Sequence, residues 1–231
     1  MFYKYIRNEV LIFMNAFIKK HQYNYIKKCL FDLNNAFINC EDTNIINATK
    51  GYLQEKIFNI FKDLSTEQKE ILNINGITEP MYINIYINNL DKYVYGMPPV
   101  TKAQINKLFK KEKKLQLPNE ELQNSKNVYL GWIDNSIRKL LIVYNMNGKL
   151  IGMACRLPNS KPNTPYVCAL CNHIGLENEV AFVSPVCKGS KNIEGNYRSI
   201  GFHVCLDSAK CNERIISTEK LEKLLKDVNN L

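Results

Sequence analysis

The sequence predicts an α+β protein in which a bundle of helices is followed by a mixed α/β domain. Two observations support this fold class. Apolar residues recur every three or four positions from Gln22 to about Leu117, which is the period of an amphipathic helix. After the polar stretch Gln116–Lys126, which has no such period, β-rich runs begin. We therefore expect an N-terminal helical bundle over residues 1–117, a linker, and a mixed α/β domain over residues 127–231.

Periodicity and start signals define the helices of the first half. One face of its first predicted helix carries apolar residues spaced by three or four: Tyr23, Ile26, Leu30, Leu33 and Phe37. Two later helices are expected to begin with capping boxes, Ser65 with Gln68 and Thr101 with Gln104. In a capping box the two side chains satisfy backbone N–H groups of the first turn. We expect four or five helices packed as a bundle.

Residues 1–20 precede this pattern and contain the apolar run Val10–Ile18. The run is only nine residues long and lacks a small-residue cleavage pattern, so we expect an extra N-terminal helix or extension rather than a signal peptide. No stretch approaches the ~20 apolar residues needed to span a bilayer. These features predict a soluble protein without a membrane partner.

Charge is the next constraint on function. The 231 residues include 31 Lys plus Arg and 22 Asp plus Glu, a net charge of +9 that is compatible with an acidic partner. The segment Thr101–Lys114 alone has six lysines and one glutamate. We interpret this segment as the solvated face of an amphipathic helix, with a docking surface for an acidic partner as the alternative.

The second half begins with strands and ends with a helix. Asn147-Gly148 separates two β-rich runs and predicts a hairpin, because both residues tolerate positive φ. Trp132 is expected to anchor the resulting sheet. At the C-terminus, Ser217 or Thr218 can cap a helix with an apolar stripe made of Leu221, Leu224, Leu225 and Val228.

Four cysteines form two short clusters, Cys168 with Cys171 and Cys205 with Cys211. Four thiolates from two clusters are the ligand set of a structural Zn²⁺, which prefers a closed tetrahedron of sulfur at about 2.3 Å. We therefore predict one structural zinc held by these four residues. Such a site has no open position for water, and the sequence has no P-loop, G-x-S-x-G or H-E-x-x-H motif, so we expect a binding protein rather than an enzyme.

Two other residues compete as ligands. His203 could replace Cys205, and Cys187 could bind the metal instead of remaining a buried thiol. Alternation along a strand leaves His203 on the face opposite to Phe202 and Val204, which makes it a surface residue and favours the all-cysteine set. A redox dithiol is disfavoured because Cys168 and Cys171 do not precede a helix in a βαβ unit.

The order of elements around these cysteines is typical of a treble-clef zinc finger. A knuckle carries the first pair, a hairpin of Val180–Pro185 with Tyr197–Val204 follows, and a helix that starts near Asp207 supplies the last ligand. The remaining cysteines stand singly among apolar neighbours and are expected to be buried free thiols of a reducing compartment: Cys29, Cys40, Cys155 and Cys187.

Several strings of the sequence resemble the FusB-type fusidic acid resistance proteins. They are "HQYNYI" (His21–Ile26), "LGW" (Leu130–Trp132), "RK" (Arg138 and Lys139) and the C-x2-C and C-x5-C pairs. The resemblance runs from His21 nearly to the C-terminus, and twenty residues precede it. It implies a cytoplasmic two-domain protein whose zinc domain docks on the C-terminal domains of elongation factor G. Such a protein contacts the ribosome only indirectly and helps the factor to leave a ribosome on which fusidic acid has trapped it.

The resemblance also points to residues that flank the zinc ligands, where relatives present aromatic and basic side chains. Here these are Tyr166, Val167, Ile200 and His203. The residues alone add the loop that follows Cys187, with Lys188, Lys191 and Arg198 for acidic partners and Tyr197 as an aromatic anchor.

A different function remains open at this point. The finger and the lysine-rich helix could bind rRNA directly, with steep salt dependence. Between Tyr166 and Cys211, however, four basic residues balance four acidic ones, which favours a protein over a nucleic acid as the partner of the finger. DNA binding is not expected.

Overall fold

The computed structural model describes residues 16–112, 114–158, 164–187 and 200–231. None of the helices in these ranges is long and apolar enough to cross a membrane. The N-terminal half consists of β1 (Ile18–Lys19), α1 (Lys20–Asn39), α2 (Thr43–Asn59), α3 (Thr66–Ile71), α4 (Met81–Leu90), a 3₁₀ turn (Asp91–Tyr93) and β2 (Val94–Tyr95).

The predicted apolar face of α1 forms the centre of the N-terminal core. Ile26, Leu30 and Leu33 are fully buried there, together with Ile57 of α2 and Leu90 of α4. The core is helical, as the periodicity predicts. The short strands β1 and β2 pair in parallel beside it.

Both predicted capping boxes are present. At the start of α3, the side chains of Ser65 and Gln68 each accept a hydrogen bond from the backbone N–H of the other residue. Thr101 and Gln104 form the same pair of hydrogen bonds at the start of the helix that begins at Lys102. Ile60, Phe61 and Leu64 continue the apolar spacing of Ile57 in the sequence and would extend its helix, but α2 ends at Asn59.

The C-terminal half is built around a sheet. Its elements are α5 (Lys102–Leu108), α6 (Glu120–Asn124), β3 (Leu130–Asp134), β4 (Lys139–Met146), β5 (Lys149–Arg156), β6 (Tyr166–Val167), β7 (Ile174–Gly175), β8 (Val180–Pro185), β9 (Phe202–Cys205), α7 (Ser208–Arg214) and α8 (Glu219–Asn229). The main sheet has the order β3-β4-β5-β8-β9, and β6 pairs with β7 in a separate ribbon.

Alternation along β4 shows that both faces of the sheet are covered. Leu140 and Ile142 face the core that includes α8 and the zinc cysteines. Leu141 and Val143 face a second core with α5. Side chains of successive strand residues point to opposite faces, so β4 contributes side chains to both of these cores.

The predicted hairpin and its anchor are confirmed. β4 and β5 pair in antiparallel register around Asn147 and Gly148, which have φ values of 52° and 84°. Trp132 is 7 % exposed and packs edge-on against Phe109 with ring centroids 5.9 Å apart. Its indole N–H donates a hydrogen bond of 2.8 Å to the Gln116 carbonyl.

The structure differs from the sequence expectation where the halves meet. The lysine-rich helix α5 does not pack with the N-terminal helices, since Ile105 and Phe109 are buried against the sheet. The expected linker Gln116–Lys126 contains the short helix α6, which Asn119 caps by accepting a hydrogen bond from the Leu122 N–H. Two glutamates in its first turn favour this helix through the helix dipole.

The N-terminal expectation also needs a correction. The apolar run Val10–Ile18 lies outside the described residues except for its end, and Ile18 there is in strand β1 rather than in a helix. Its side chain is fully buried in the N-terminal core. Ile18 pairs with Val94 of β2, and this pairing provides hydrogen-bond partners for the backbone polar groups of the extended segment.

Helix α1 joins the two halves through polar contacts with α7. The Asn24 amide is buried and donates hydrogen bonds of 2.7 and 2.8 Å to the backbone carbonyls of Asn212 and Ile215. Lys20 pairs with Glu213 at 2.6 Å on the same contact. The carbonyls at the end of α7, which lack partners within their own helix, are thereby satisfied by the other half of the protein.

Candidate metal centre and partner surface

The four predicted ligands meet in one cluster. The Sγ atoms of Cys168, Cys171, Cys205 and Cys211 all lie within 4.8 Å of one another. Two of the separations are 3.9 Å, between Cys168 and Cys211, and 3.5 Å, between Cys171 and Cys205. A tetrahedral zinc with bonds of about 2.3 Å separates its sulfur atoms by about 3.8 Å. The geometry therefore fits one Zn²⁺ and is far from the ~2.05 Å of a disulfide bond.

The first pair of ligands lies in a tight turn between β6 and β7. The Asn172 N–H donates to the Cys168 carbonyl at 2.9 Å, and the Cys168 N–H donates to the His173 carbonyl at 2.8 Å. Asn172 adopts φ of 60°, which asparagine tolerates better than most residues. This turn brings Cys168 and Cys171 to the same side of the ribbon, as the C-x2-C spacing predicts.

The second pair comes from the end of β9 and from α7. The Asp207 carboxylate caps α7 by accepting a hydrogen bond of 3.0 Å from the Lys210 N–H, which places Cys211 in the opening turns of the helix. Asn212 fixes the helix against β3, because its side chain accepts hydrogen bonds from the Val128 and Tyr129 N–H groups at 2.7 and 3.0 Å. Cys211 is thus positioned by the sheet as well as by its own helix.

The electrostatics of the cluster favour a bound cation. Hydrogen bonding to Cys171 and the other two sulfurs lowers the pKa of Cys168, so one thiolate forms readily. Hydrogen bonding to Cys168, with the charge of that thiolate, raises the pKa of Cys205 and Cys211. Four thiolates can coexist only if a metal ion neutralises part of their charge.

Tyr129 provides a contact that the sequence did not reveal. Its side chain is fully buried beside the cluster, and burial together with hydrogen bonding to Cys211 raises its pKa well above the ordinary value. The hydroxyl therefore stays protonated and can donate to the Cys211 sulfur. Donors of this kind orient metal ligands and tune their affinity.

The competing ligands are not part of the cluster. Among the described residues, neither His203 nor Cys187 belongs to the group of metal-ligating side chains. His203 instead stacks on Tyr166 with ring centroids 4.1 Å apart. Of the single cysteines, Cys29 and Cys155 are buried as expected, whereas Cys40 and Cys187 are partly exposed. Burial raises the pKa of Cys155 to about 12, so this thiol stays protonated.

Comparison with known proteins agrees with this architecture. A family model described as "FBP C-terminal treble-clef zinc-finger" matches residues 100–229, and one described as "Elongation factor G-binding protein, N-terminal" matches residues 17–98. The chain belongs to the elongation factor G-binding protein family. Together the models cover the N-terminal core and the cores on both faces of the sheet.

A solved structure supports the family assignment. The structure of the fusidic acid resistance protein FusC superimposes with a TM-score of 0.74 at 25% sequence identity, over 93% of this chain and 98% of that one. No protein with a curated description matches the chain by sequence. The α+β fold with a treble-clef zinc finger is therefore that of FusC.

Next to the zinc cluster, this member of the elongation factor G-binding family exposes apolar and aromatic side chains. Val167 and Ile174 lie opposite each other across the β6–β7 ribbon and are 52% and 64% exposed. Next to the ribbon, the His203 ring of β9 lies between Tyr166, on which it stacks, and Phe182 of β8, whose centroid is 5.3 Å away in an edge-on arrangement. We call these five residues the finger surface.

The finger surface includes some of the predicted partner-binding residues and adds others. Tyr166, Val167 and His203 were expected from the resemblance. Ile174 and Phe182 were not, because their exposure depends on how the ribbon and sheet fold. An added Cβ at Gly201 would lie 2.2 Å from the Phe182 ring, so the glycine leaves room for that ring.

The other predicted partner-binding residues are placed differently. Ile200 is partly buried and packs against the core under the sheet. Lys188, Lys191, Tyr197 and Arg198 lie outside the described residues, as does part of the strand expected over Tyr197–Val204. The described part of that strand, β9, pairs antiparallel with β8 as predicted.

Proposed function

We propose that this protein binds elongation factor G and promotes its release from ribosomes stalled by fusidic acid, which protects translation from the drug. The family models and the likeness to FusC support binding to the factor. The finger surface docks on the C-terminal domains of the factor. The protein therefore contacts the ribosome only indirectly, through the factor bound to it.

The observation that carries this proposal is the exposure of the finger surface. Val167 and Ile174 present branched apolar side chains to solvent, and Tyr166, His203 and Phe182 form an aromatic group where the ribbon meets β8 and β9. Exposed apolar patches with aromatic members are typical of protein–protein interfaces. The zinc holds the backbone on which these side chains stand, because Val167 directly precedes the ligand Cys168.

The same geometry favours binding over catalysis. A zinc surrounded by four sulfur ligands has no open coordination position, so it cannot activate a water molecule. The zinc has a structural role, and protection arises from the change in state of the bound factor rather than from modification of the drug.

The contact residues in the loop after Cys187 remain part of the proposal. Lys188, Lys191, Tyr197 and Arg198 continue the chain between β8 and β9, the two strands that carry Phe182 and His203. The basic and aromatic side chains of these four residues would extend the interface at its rim.

Binding can be tested by calorimetric titration of purified elongation factor G into the protein. We expect Val167→Ser combined with Ile174→Ser to weaken binding by about tenfold or more, because truncation of central apolar contacts costs more than 1 kcal/mol each. The matched control is Ile38→Ser with Ile45→Ser, which removes side chains that are 66% and 55% exposed on α1 and α2. Equal affinity of the two double variants would contradict the proposed contact.

The release step requires a separate test. In a reconstituted translation reaction with fusidic acid, the wild-type protein should restore synthesis, and Cys168→Ser should not, because it removes a zinc ligand. A wild-type protein that binds the factor but leaves translation inhibited would refute the release step while leaving the binding proposal intact.

A further inference from the structure

Three lysines at the end of α5 form an exposed basic group that the proposed function does not use. Lys107, Lys110 and Lys111 are exposed, and within the described ranges none of them pairs with a carboxylate. Lys107 lies in α5, Lys110 and Lys111 lie in the turn that follows it, and all three border one groove. We call these three residues the lysine ridge.

The only acidic residue of this segment does not compensate the lysine ridge. Glu112 points inward and pairs with Lys139 of β4 at 2.6 Å, and the two side chains are only 13% and 18% exposed. Glu112 also borders the groove, but its charge is cancelled by that of Lys139 in this close ion pair. The ridge therefore keeps its positive charge.

The lysine ridge stands on a rigid base. Ile105 and Phe109, on either side of Lys107, are buried in the core that α5 shares with the sheet. The Phe109 ring contacts Trp132, and an added Cβ at Gly152 would lie 3.0 Å from the Phe109 ring. The backbone positions of the lysines are thus fixed by packing, although their side chains can adapt to a ligand.

A groove of about 360 Å³ runs beside the ridge. Its lining includes the three lysines, Glu112, Gly152 of β5, and the end of α8 at Val228 and Asn229. The groove gives a polyanion a path along the lysines instead of a single point of contact.

We propose that the lysine ridge binds the phosphate backbone of RNA. Interfaces with proteins are enriched in aromatic and apolar anchors and depleted in lysine. The ridge has the opposite character, since it consists of lysines and its aromatic residue Phe109 is buried beneath them. Unpaired cations of this kind bind the phosphate groups of a nucleic acid backbone, and these contacts do not depend on the base sequence.

The finger surface and the lysine ridge differ in character, as two surfaces for different partners should. The finger is electrically balanced in sequence and exposes apolar side chains, which suits a protein partner, whereas the ridge lies on a different element and a different core. The RNA proposal is independent of binding to elongation factor G, because the finger surface and the lysine ridge share no residue.

The test is fluorescence anisotropy with a labelled RNA duplex of arbitrary sequence, about 20 base pairs long, titrated with the full protein between about 50 and 200 mM salt. We expect the triple variant Lys107→Gln, Lys110→Gln, Lys111→Gln to bind about tenfold more weakly at low salt and to reduce the slope of log affinity against log salt by about 3. The control variant Lys28→Gln, Lys62→Gln, Lys69→Gln removes the same charge from exposed positions of the N-terminal half.

Each outcome decides the proposal. Loss of RNA binding in the ridge variant but not in the control variant supports it, provided that both variants show the circular dichroism spectrum of the wild type. Absence of wild-type binding at low salt, or equal loss in both variants, overturns it. Tighter binding of polyglutamate than of RNA would assign the ridge to an acidic protein and overturn it as well.

Discussion

The side-chain amide of Asn24 donates a hydrogen bond of 2.7 Å to the backbone carbonyl of Asn212, the residue that follows the zinc ligand Cys211. The N-terminal helix α1 therefore completes the hydrogen bonding of the short helix that supplies the last ligand. This contact connects the two halves at the element on which the finger depends.

Replacement of Asn24 should reveal the strength of this connection. Asn24→Ala leaves the buried carbonyls of Asn212 and Ile215 without their donor, so we expect the free energy of unfolding to fall by about 1–3 kcal/mol in urea denaturation. Asn88→Ala, at an exposed position of α4, serves as the control and should change it by less than about 0.5 kcal/mol. Similar losses in both variants would show that the contact does not stabilise the protein.

Tyr129→Phe should weaken the metal centre. The substitution removes the hydroxyl that is buried beside Cys211 and can donate to its sulfur. Loss of such a donor typically costs 10- to 100-fold in metal affinity, so we expect a decrease of about tenfold. The measurement is competition for zinc with a fluorescent chelator.

Tyr86→Phe is the matched control for the tyrosine prediction. Its hydroxyl donates to the Ile71 carbonyl in the N-terminal core, away from the metal. This variant should change stability without changing zinc affinity. Unaltered zinc affinity in Tyr129→Phe would contradict a role for that hydroxyl.

His21 should titrate far below the ordinary range. Burial, and then the charge of Lys19, lowers its pKa from 6.5 to about 4. Because the unfolded chain takes up the proton first, His21 contributes stability above pH 6.5 that is lost as the pH falls toward about 4. An NMR titration of its ring protons, assigned with the His21→Gln variant, should have its midpoint near the lower value. A midpoint at or above the ordinary value would refute the prediction.

Two glycine substitutions should have opposite effects on stability. An added Cβ at Gly131 would lie 2.6 Å from the Tyr129 ring and 2.9 Å from the Ser208 Cβ, so Gly131→Ala should destabilise the protein by about 1–3 kcal/mol. Gly51 in α2 has open space around it, and Gly51→Ala should stabilise the protein by about 1 kcal/mol through helix propensity. Thermal unfolding of both variants checks the signs, and a stabilising Gly131→Ala would contradict the close approach of α7 to β3.

Local signals in the sequence predicted much of this structure. The capping boxes at Ser65 and Thr101 form between residues three positions apart, and the turn at Asn147 depends on two adjacent residues, so no distant contact is needed to specify them. The cysteine cluster was predictable for a related reason, because few functions other than metal binding require two such pairs.

Features that depend on distant residues were not predictable in this way. The sequence pattern shows that Ile105 faces inward, but it does not show whether α5 packs on helices or on the sheet. The positions of Tyr129 beside Cys211 and of Phe182 beside His203 likewise arise from strand pairing and helix docking between segments far apart in sequence.

The most direct test of the central claim, that the finger surface holds elongation factor G, is hydrogen–deuterium exchange of the full protein with and without the factor. We expect slower exchange in the β6–β7 ribbon and in the peptides that contain Phe182 and His203, with little change in α2 and α3. Protection confined to the N-terminal helices, with the ribbon unchanged, would contradict the claim.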